Sequence, residues 1–354
     1  MAKPNWKADS LYVYVFKVDR GLSVFIRTPY NWGIIYDIGA SDDFSPSEYI
    51  SKNLVPSLSL IEVSAGQEIK IAQAILSHPH TDHIQDAGAL DATNLHPKLL
   101  TCPNDKLASE EFDFSTLDQS PELESYRSLF AGKKRGVGLQ TLSPKGISPF
   151  LDFEYGIYYM KPPEIKKTLA TEGQAYINGS SICAYIRYCS NSILLPGDVT
   201  PEVMAAILKG DSRTEKRYTS YKDATAWETN DHLNGGKHDL GLTLKKHGLT
   251  VLVASHHGLE SGYCKEIFDW LMGGKLKLVM TSEKRKIGER DGKTHAEYSS
   301  DERVESVVID IDGKNEQRKS IGTASGKHLL AIFDANGVAR YFVRTDIDQL
   351  VSIS

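Results

Sequence analysis

Four side chains of the kinds that bind metal ions fall within six residues of this sequence. They are His78, His80, Asp82 and His83, and they form an H-x-H-x-D-H pattern. Imidazole nitrogens and carboxylate oxygens are ligands that suit zinc, manganese or iron. A turn of incidental histidines, with Asp82 as a helix cap, is the alternative interpretation, but it does not explain the pattern as a unit. We therefore predict that His78 and His80 bind one ion and that Asp82 and His83 bind a second.

Apolar segments on both sides of this pattern predict the elements that position it. Residues 71–76 are mostly apolar and strand-like, whereas residues 84–90 have the spacing of a helix. The pattern is therefore expected on a strand-to-helix turn.

Two further apolar strands end in polar side chains that could reach the same place. Residues 193–195 lead through a Pro-Gly pair to Asp198, and residues 251–255 lead to His256 and His257. The two oxygens of a carboxylate can each bind one metal ion, so Asp198 is predicted to bridge the two ions.

Another strand end carries an acidic side chain close to the start of the chain. Asp37 follows the apolar residues 34–36 in an Asp-x-Gly sequence. Its carboxylate could hold a ligand histidine through the second ring nitrogen, as outer partners of metal sites commonly do. An ordinary turn is the alternative interpretation.

The composition is that of an ordinary globular protein. Of its 354 residues, 40% are apolar and 25% are charged, which allows a sizeable core. The formal charge of −5 gives no general attraction to nucleic acid, so polyanion binding would need a local basic surface.

The four cysteines form no C-x-x-C pair and are expected to be free thiols in a reducing compartment. No apolar signal segment and no stretch of about 18 apolar residues occurs, so we expect a cytoplasmic protein without membrane contact.

Short strands outnumber helices along the chain, and several strands follow one another directly. A meander of three strands over residues 11–37 comes first, and strands then alternate with helices. This order predicts an α/β (α+β) protein built as an αββα sandwich, with two mixed sheets packed face to face and helices outside. We expect one domain over residues 1–303 with a helical insertion at about 209–247. Residues 304–354 are expected to form a small C-terminal β appendage with a hairpin turn at 336–337.

The order of these motifs resembles that of the metallo-β-lactamase fold superfamily. The meander, the Asp-x-Gly strand end, the H-x-H-x-D-H turn, the Gly-Asp strand end and the His-His-Gly strand end follow in the same sequence. Three segments are similar in detail to the hydrolase domain of the ComEC DNA-uptake protein and its free-standing relatives: Asn178-Gly-Ser-Ser181, Leu195-Pro-Gly-Asp198 and the run from Ser255 to Gly262. The resemblance implies an αββα hydrolase domain over residues 1–303, two divalent ions (zinc or manganese), and a nuclease or phosphodiesterase activity.

The chain departs from the superfamily pattern in two places. No histidine occurs between His96 and Asp198, where many members supply a third imidazole to the first ion. The first site would then be held by His78, His80 and Asp198, and it should prefer manganese to nitrogen-preferring zinc. The Gly-His-Pro found near the end of similar chains is replaced by Thr-His295-Ala. We interpret His295 as a surface residue, with a ligand role as the alternative.

Two adjacent ions at the predicted ligands indicate a mechanism in which no side chain is the nucleophile. Two ions lower the pKa of a bridging water, and a metal-bound hydroxide attacks the phosphoester. Asp82 is predicted to hold this hydroxide in addition to binding the second ion. By analogy with strands that end in Ser-His or Thr-His, we assign His256 as the last metal ligand. His257 is then the catalytic acid that protonates the leaving oxygen.

Two basic stretches could bind a nucleic acid or another phosphodiester substrate. Residues Lys209–Lys222 interleave lysines and arginines with tyrosines, and Lys284–Lys286 is wholly basic. A solvated helix is the alternative for the first stretch, because acidic residues accompany the basic ones.

Two other classes of function remain open. Hydrolysis of a small carbonyl substrate, such as a lactone, lactam or thioester, uses the same chemistry. The third class is a scaffold, sensor or effector subunit that acts only with protein partners in a larger defence or DNA-processing assembly. The complete H-x-H-x-D-H pattern together with Asp198 argues against a protein that kept the fold but lost its catalytic activity.

Overall fold

The computed structural model describes most of the chain. The described residues are 3–18, 21–62, 68–93, 95, 97–103, 112–129, 152–169, 173–210, 217–219, 227–228, 240–271, 274, 276–282, 294–323 and 326–353.

The strands in these ranges are numbered in chain order. They are β1 (Ser10–Val15), β2 (Ser23–Arg27), β3 (Gly33–Ile38), β4 (Ile61–Glu62), β5 (Glu68–Ile69), β6 (Ile71–Ile75), β7 (Leu99–Thr101), β8 (Phe153–Tyr158), β9 (Cys183–Tyr188), β10 (Asn191–Leu195), β11 (Arg217–Thr219), β12 (Trp227–Glu228), β13 (Val251–Val253), β14 (Leu278–Thr281), β15 (Val307–Ile311), β16 (Lys314–Arg318), β17 (Ser320–Gly322), β18 (His328–Asp334) and β19 (Ala339–Arg344).

The α-helices are short. They are α1 (Pro46–Tyr49), α2 (Thr81–Ile84), α3 (Ala87–Ala92), α4 (Pro121–Ser128), α5 (Pro162–Leu169), α6 (Gln174–Gly179), α7 (Pro201–Leu208), α8 (Leu240–His247), α9 (Lys265–Trp270) and α10 (Ile347–Ile353). A π-helical turn occupies Ile50–Leu54, and 3-10 turns occupy Val55–Ser57, Ser255–Gly258, Glu260–Gly262 and Ala296–Ser299.

Most of these strands form two large mixed sheets. A nine-stranded sheet has the order β16-β15-β19-β18-β1-β2-β3-β6-β7, and an eight-stranded sheet has the order β12-β11-β8-β9-β10-β13-β14-β17. The meander β1-β2-β3 is antiparallel. The pairs β3/β6, β6/β7, β10/β13 and β13/β14 are parallel.

The two sheets pack face to face, and helices cover their outer faces. Alternate residues of β1, such as Leu11 and Val13, join a buried cluster that includes Ile186 of the other sheet. The intervening Tyr12 belongs to a second cluster that includes Val203 of α7. Because successive side chains of a strand point to opposite faces, β1 is buried on both sides. The fold is therefore the expected αββα sandwich.

Three helices begin at a Ser-Pro or Thr-Pro pair. The side chains of Ser45, Ser120 and Thr200 each accept a hydrogen bond from the backbone N–H three residues later, at 3.2 Å for Ser120. Proline is favourable in the first helical turn because its missing N–H would have no helical partner there. Local sequence therefore encodes where α1, α4 and α7 start.

The C-terminal residues complete both sheets. The predicted hairpin around 336–337 is confirmed as β18 and β19. β18 pairs antiparallel with β1, and β17 pairs parallel with β14 in the other sheet. The boundary at residue 304 stays a prediction, but strands from its two sides share hydrogen bonds.

The segment predicted as a helical insertion, about 209–247, is described in part. Its described residues include α8 and also β11 and β12, which extend the second sheet beside β8. Strand pairing, which the local polar sequence does not encode, accounts for this difference from the helical expectation.

The four cysteines are free thiols. Within the described ranges, none of the helices combines the length and the apolar character that crossing a bilayer would require.

Candidate metal centre

The ends of several strands meet at one edge of the sandwich. In the first sheet, the parallel strands β3 and β6 end at Asp37 and at the H-x-H-x-D-H turn. In the second sheet, the parallel strands β10 and β13 lead to Asp198 and to the pair His256 and His257. Because parallel strands end on the same side, each sheet delivers its polar residues to one edge.

Two glycines let the histidine turn lie against the meander. A Cβ atom at Gly21 or at Gly39 would overlap the carbonyl oxygen of Asp82. Gly39 belongs to the Asp-x-Gly sequence, so this motif supplies both an acidic side chain and the space for the turn. The helix α2 begins directly after His80, and the backbone N–H of His83 donates to the carbonyl of His80 at 2.9 Å.

Asp37 is the buried anchor of the histidine turn. Its carboxylate accepts hydrogen bonds from the backbone N–H of Ser77 at 2.6 Å, from Ser77 Oγ at 2.8 Å and from His83 Nδ1 at 2.7 Å. All three side chains are fully buried. Asp37 has a φ of 52°, in the left-handed region that aspartate tolerates better than most residues. The predicted contact between Asp37 and a histidine of the motif is confirmed, and its partner is His83.

Ser77 extends this anchor to a second histidine. Since Ser77 Oγ donates to Asp37, its lone pairs can accept from His78 Nδ1, which lies 3.0 Å away. Nε2 of His78 then keeps a free lone pair. The same holds for His83 Nε2, because the Nδ1 proton of His83 is donated to Asp37. Both rings are thus fixed in the tautomer that a metal ion requires.

The free ring nitrogens converge on Asp198. His83 Nε2 lies 3.2 Å from Asp198 Oδ1, and His78 Nε2 lies 3.9 Å from Asp198 Oδ2. His78 Nε2 also lies 2.9 Å from Nδ1 of His80. Among the described residues, the buried Nε2 atoms of His80 and His83 have no aligned hydrogen-bond partner. The donor atoms of His78, His83 and Asp198 lie within 4.8 Å of one another.

A second group of donor atoms adjoins the first. His257 Nε2 lies 3.0 Å from Asp82 Oδ2 and 3.5 Å from Asp198 Oδ2. The other nitrogen of His257, Nδ1, lies 2.9 Å from Ser282 Oγ. Asp82, His83 and His257 offer ligand atoms that also fall within 4.8 Å of one another.

His256 lies at the margin of these groups. Its Nε2 atom is 3.9 Å from Asp198 Oδ2, and its Nδ1 atom is 2.7 Å from Ser261 Oγ. The His256 side chain is 29% exposed, whereas that of His257 is 9% exposed. The assignment of His256 as ligand and His257 as catalytic acid stays a prediction, and these distances favour the opposite assignment.

The spacing of the donor atoms fits a divalent ion. Two atoms that bind one tetrahedral ion at about 2.0–2.1 Å lie roughly 3.3–3.4 Å apart. The close pairs here range from 2.9 Å between His78 and His80 to 3.9 Å between His78 and Asp198. Nitrogen and carboxylate donors in this mixture suit zinc or manganese.

Electrostatics keep the carboxylates ionised. Burial alone would raise the pKa of Asp198 and of Asp82, but the nearby His83 and His257 outweigh burial and lower both pKa values. Burial lowers the pKa of His78 well below its usual range, so that ring is neutral. Burial alone would also lower the pKa of His83 and of His257, but Asp198 and the neighbouring carboxylates outweigh it and raise both pKa values. Because a metal ion binds the neutral ring, metal binding at His83 and His257 would release protons.

The other sequence candidates belong to neither donor group or lie outside the described residues. The backbone N–H of His295 donates to the carbonyl of Gly258 at 2.9 Å, next to His257. The ring of His295 stacks on Tyr263 with centroids 3.7 Å apart, and its Nδ1 accepts from the backbone N–H of Glu297 at 3.3 Å. Most of Lys209–Lys222 and all of Lys284–Lys286 lie outside the described residues.

Three serines hold the histidine rings without having been assigned a role from the sequence. Ser77, Ser261 and Ser282 each place an Oγ atom within 3.0 Å of a histidine Nδ1. Ser77 directly precedes the motif, which is a usable signal. The other two contacts depend on loop geometry that the sequence does not reveal.

Comparisons with known proteins add little to this geometry. No protein-family model matches the chain, and no curated protein matches it. Among solved structures, the chain is similar to the isothiocyanate hydrolase from Delia radicum gut bacteria. The identity is 13%, the TM-score is 0.31, and the match covers 76% of this chain and 83% of that chain. A likeness at this level assigns neither a family nor an activity.

Proposed function

We propose that the protein is a metal-dependent hydrolase that cleaves phosphodiesters with two divalent ions. The observation that carries the proposal is the convergence of three imidazoles and two carboxylates from separate strand ends, with a fourth imidazole, His80, 2.9 Å from His78. The buried Nε2 atoms of His80 and His83 have no aligned hydrogen-bond partner among the described residues. Burying such a set costs free energy unless each group finds a partner. A divalent cation is the partner that this set of donors fits.

The donor atoms divide into two sites around Asp198. A ring nitrogen binds one ion, so His83 Nε2 can serve only one of the two groups in which it occurs. His80 belongs to neither of these groups, but its Nδ1 atom lies 2.9 Å from His78 Nε2, so we propose that it serves the first group in place of His83. We therefore propose that His78 and His80 would hold one ion and that Asp82, His83 and His257 would hold the other, with Asp198 available to both.

Two partly exposed side chains of this site, Asp82 and His256, can contact a water molecule or a substrate. When bound, zinc or manganese ions lower the pKa of a coordinated water and neutralise phosphate charge. Asp82 has a side chain that is 35% exposed, so its carboxylate can accept a hydrogen bond from a water molecule that enters from solvent. His256, which is also partly exposed, can donate a hydrogen bond to the substrate.

The choice of a phosphodiester substrate rests on the similarity of the segment Asn178–Ser181 to that of ComEC-like hydrolases, and this segment contacts the candidate metal centre. Ser181 Oγ accepts the backbone N–H of Asp198 at 3.2 Å, and Ile182 donates to the carbonyl of Ser77 at 3.0 Å. This segment, which is similar to that of ComEC-like hydrolases, thus braces both strand ends of the cluster. Nucleic acid is the corresponding natural substrate, and action within a larger protein assembly remains part of the proposal.

Hydrolysis by metal-stripped and reloaded protein tests the proposal. Bis-p-nitrophenyl phosphate, single-stranded DNA, duplex DNA and RNA would be offered with manganese or zinc, beside a lactone and a thioester. The His78→Ala/His80→Ala double variant should fall to the background rate, because the first site loses both imidazoles. His328→Asn, which changes a buried histidine outside the cluster, is the matched control and should keep its activity.

Two outcomes would overturn parts of the proposal. Cleavage of the lactone or thioester without cleavage of any phosphodiester would replace the substrate class and keep the hydrolase. Equal rates in the double variant and the control would show that the cluster is not the site of the reaction.

A further inference from the structure

Two successive histidines have different surroundings. His257 is buried against Asp82 and Asp198. His256 is more exposed, and its closest polar contact joins its Nδ1 atom to Ser261 Oγ, at 2.7 Å. The planes of the two rings differ by 52°, and both residues have positive φ angles, of 49° and 59°. Such strained backbone often marks a functional position.

A tight turn places Ser261 in contact with the His256 ring. The backbone N–H of Leu259 donates to the carbonyl of His256 at 3.0 Å, and the N–H of Gly262 donates to the carbonyl of Leu259 at 3.1 Å. A Cβ atom at Gly262 would lie 2.6 Å from His256 Cβ and 2.5 Å from the carbonyl oxygen of Ser255. Only glycine permits this approach, so the turn is built around the His256 side chain.

The Ser261 hydroxyl can fix the tautomer of the ring. If Ser261 O–H donates to Nδ1, the neutral His256 ring carries its proton on Nε2. His256 Nε2 lies 3.9 Å from Asp198 Oδ2, so this N–H group is next to the candidate metal ligands. A protonated Nε2 has no lone pair with which to bind a cation. The opposite tautomer would leave Nε2 free as a ligand, which is the role that the sequence predicted for His256.

We propose that Ser261 is a positioning residue that holds His256 as an Nε2–H donor to the leaving oxygen of the substrate. The inference rests on the proposed phosphodiesterase function. The exposure of His256 lets substrate reach Nε2, whereas the contacts of His257 with two carboxylates suit a metal ligand. A hydrogen bond to the leaving oxygen strengthens as charge develops there, so it should lower the barrier more than it improves binding.

Four variants separate this role from a metal-binding role: Ser261→Ala, Ser261→Thr, His256→Ala and His257→Ala. Metal affinity is measured by competition with a chelator, and the ring protons of His256 by long-range proton–nitrogen spectra, assigned by their loss in His256→Ala. Neither measurement needs turnover. We expect Nε2-protonated His256 in the wild type, mixed tautomers in Ser261→Ala, and restoration in Ser261→Thr, which keeps the hydroxyl. Metal affinity should be unchanged in Ser261→Ala and His256→Ala and should fall sharply in His257→Ala.

Kinetics supply the functional readout. Ser261→Ala should lower kcat about tenfold, as expected for one lost hydrogen bond, with little change in KM. The loss should be larger for an alkyl leaving group than for p-nitrophenolate, which needs less help to depart.

The proposal fails if His256 is protonated at Nδ1 in the wild type. It also fails if Ser261→Ala lowers metal affinity by the roughly 10- to 100-fold typical of a lost outer partner of a ligand. If metal-loaded wild-type protein hydrolyses none of the substrates, the proposed function is wrong. The spectra and the metal affinities would still decide whether Ser261 holds His256 in the Nε2-protonated form, which cannot bind the ion.

Discussion

His83 Nδ1 lies 2.7 Å from Asp37 Oδ2, and neither side chain is exposed. The contact joins the strand end of β3 to the histidine turn after β6. It directs the other nitrogen of His83 toward Asp198, 3.2 Å away. A carboxylate behind a ligand histidine fixes the orientation of the ring and increases its basicity. Asp37 therefore acts on the candidate ions through His83, and through Ser77 on His78.

The variant Asp37→Asn tests this relationship. Asparagine tolerates the left-handed backbone of residue 37, so the substitution changes the charge and hydrogen bonds and leaves the chain geometry intact. We expect metal affinity to fall about 10- to 100-fold, as for other outer partners of metal ligands. Chelator competition gives the affinity, and thermal unfolding of the metal-free protein is the control for folding. An unchanged affinity would remove Asp37 from the metal centre.

The Asp37 contact could be predicted because both of its ends lie in short motifs at the ends of apolar strands. The same logic located His78, His83 and Asp198, since strand ends meet at one edge of a sheet. The contacts of His256 and His257 could not be predicted, because two left-handed residues in succession turn their rings apart. Likewise, nothing local in β17 or β18 indicates that these strands join different sheets. That pairing depends on contacts distant in sequence.

Replacement of Gly39 by alanine, which adds a single methyl group, should disturb the candidate metal centre. A Cβ atom there would overlap the carbonyl oxygen of Asp82, which cannot move without displacing the histidine turn. Gly39→Ala should therefore weaken metal binding and lower the free energy of unfolding. The matched control is Gly88→Ala, on an exposed part of α3, where the nearest atom to an added Cβ is Ser125 Oγ at 3.5 Å. Alanine should be tolerated there or add up to about 1 kcal/mol of stability. Equal effects of the two substitutions on metal affinity would contradict this account.

Manganese should support hydrolysis better than zinc. No histidine lies between His96 and Asp198, so the proposed first site has two imidazoles and a carboxylate. Carboxylate donors suit manganese, whereas imidazoles favour zinc. The test is the rate of phosphodiester cleavage by metal-stripped protein as each ion is titrated in. Full activity with zinc and none with manganese would show that the ligand set is richer in nitrogen than we propose.

His328 should make stability depend on pH. Its buried ring accepts the backbone N–H of Lys17 at Nδ1, 3.1 Å away, and packs against Phe16 and Phe44. Burial, with a smaller effect of Lys17, lowers the pKa of His328 to about 4, although Asp346 and Asp43 act in the opposite direction.

The sign of the effect follows from proton binding in the two states. An unfolded chain protonates this histidine near its ordinary pKa of about 6.5, whereas the folded protein keeps it neutral down to about pH 4. The stabilising contribution is therefore complete above pH 6.5 and is lost as the pH falls toward 4, by roughly 3 kcal/mol in total. His328→Asn keeps an oxygen that can accept from Lys17 but has no titrating ring. Urea unfolding of both proteins between pH 7.5 and 5 should show the wild type losing about 1.4 kcal/mol more per pH unit below 6.5. Parallel curves for the two proteins would mean that His328 is protonated equally in the folded and unfolded chains.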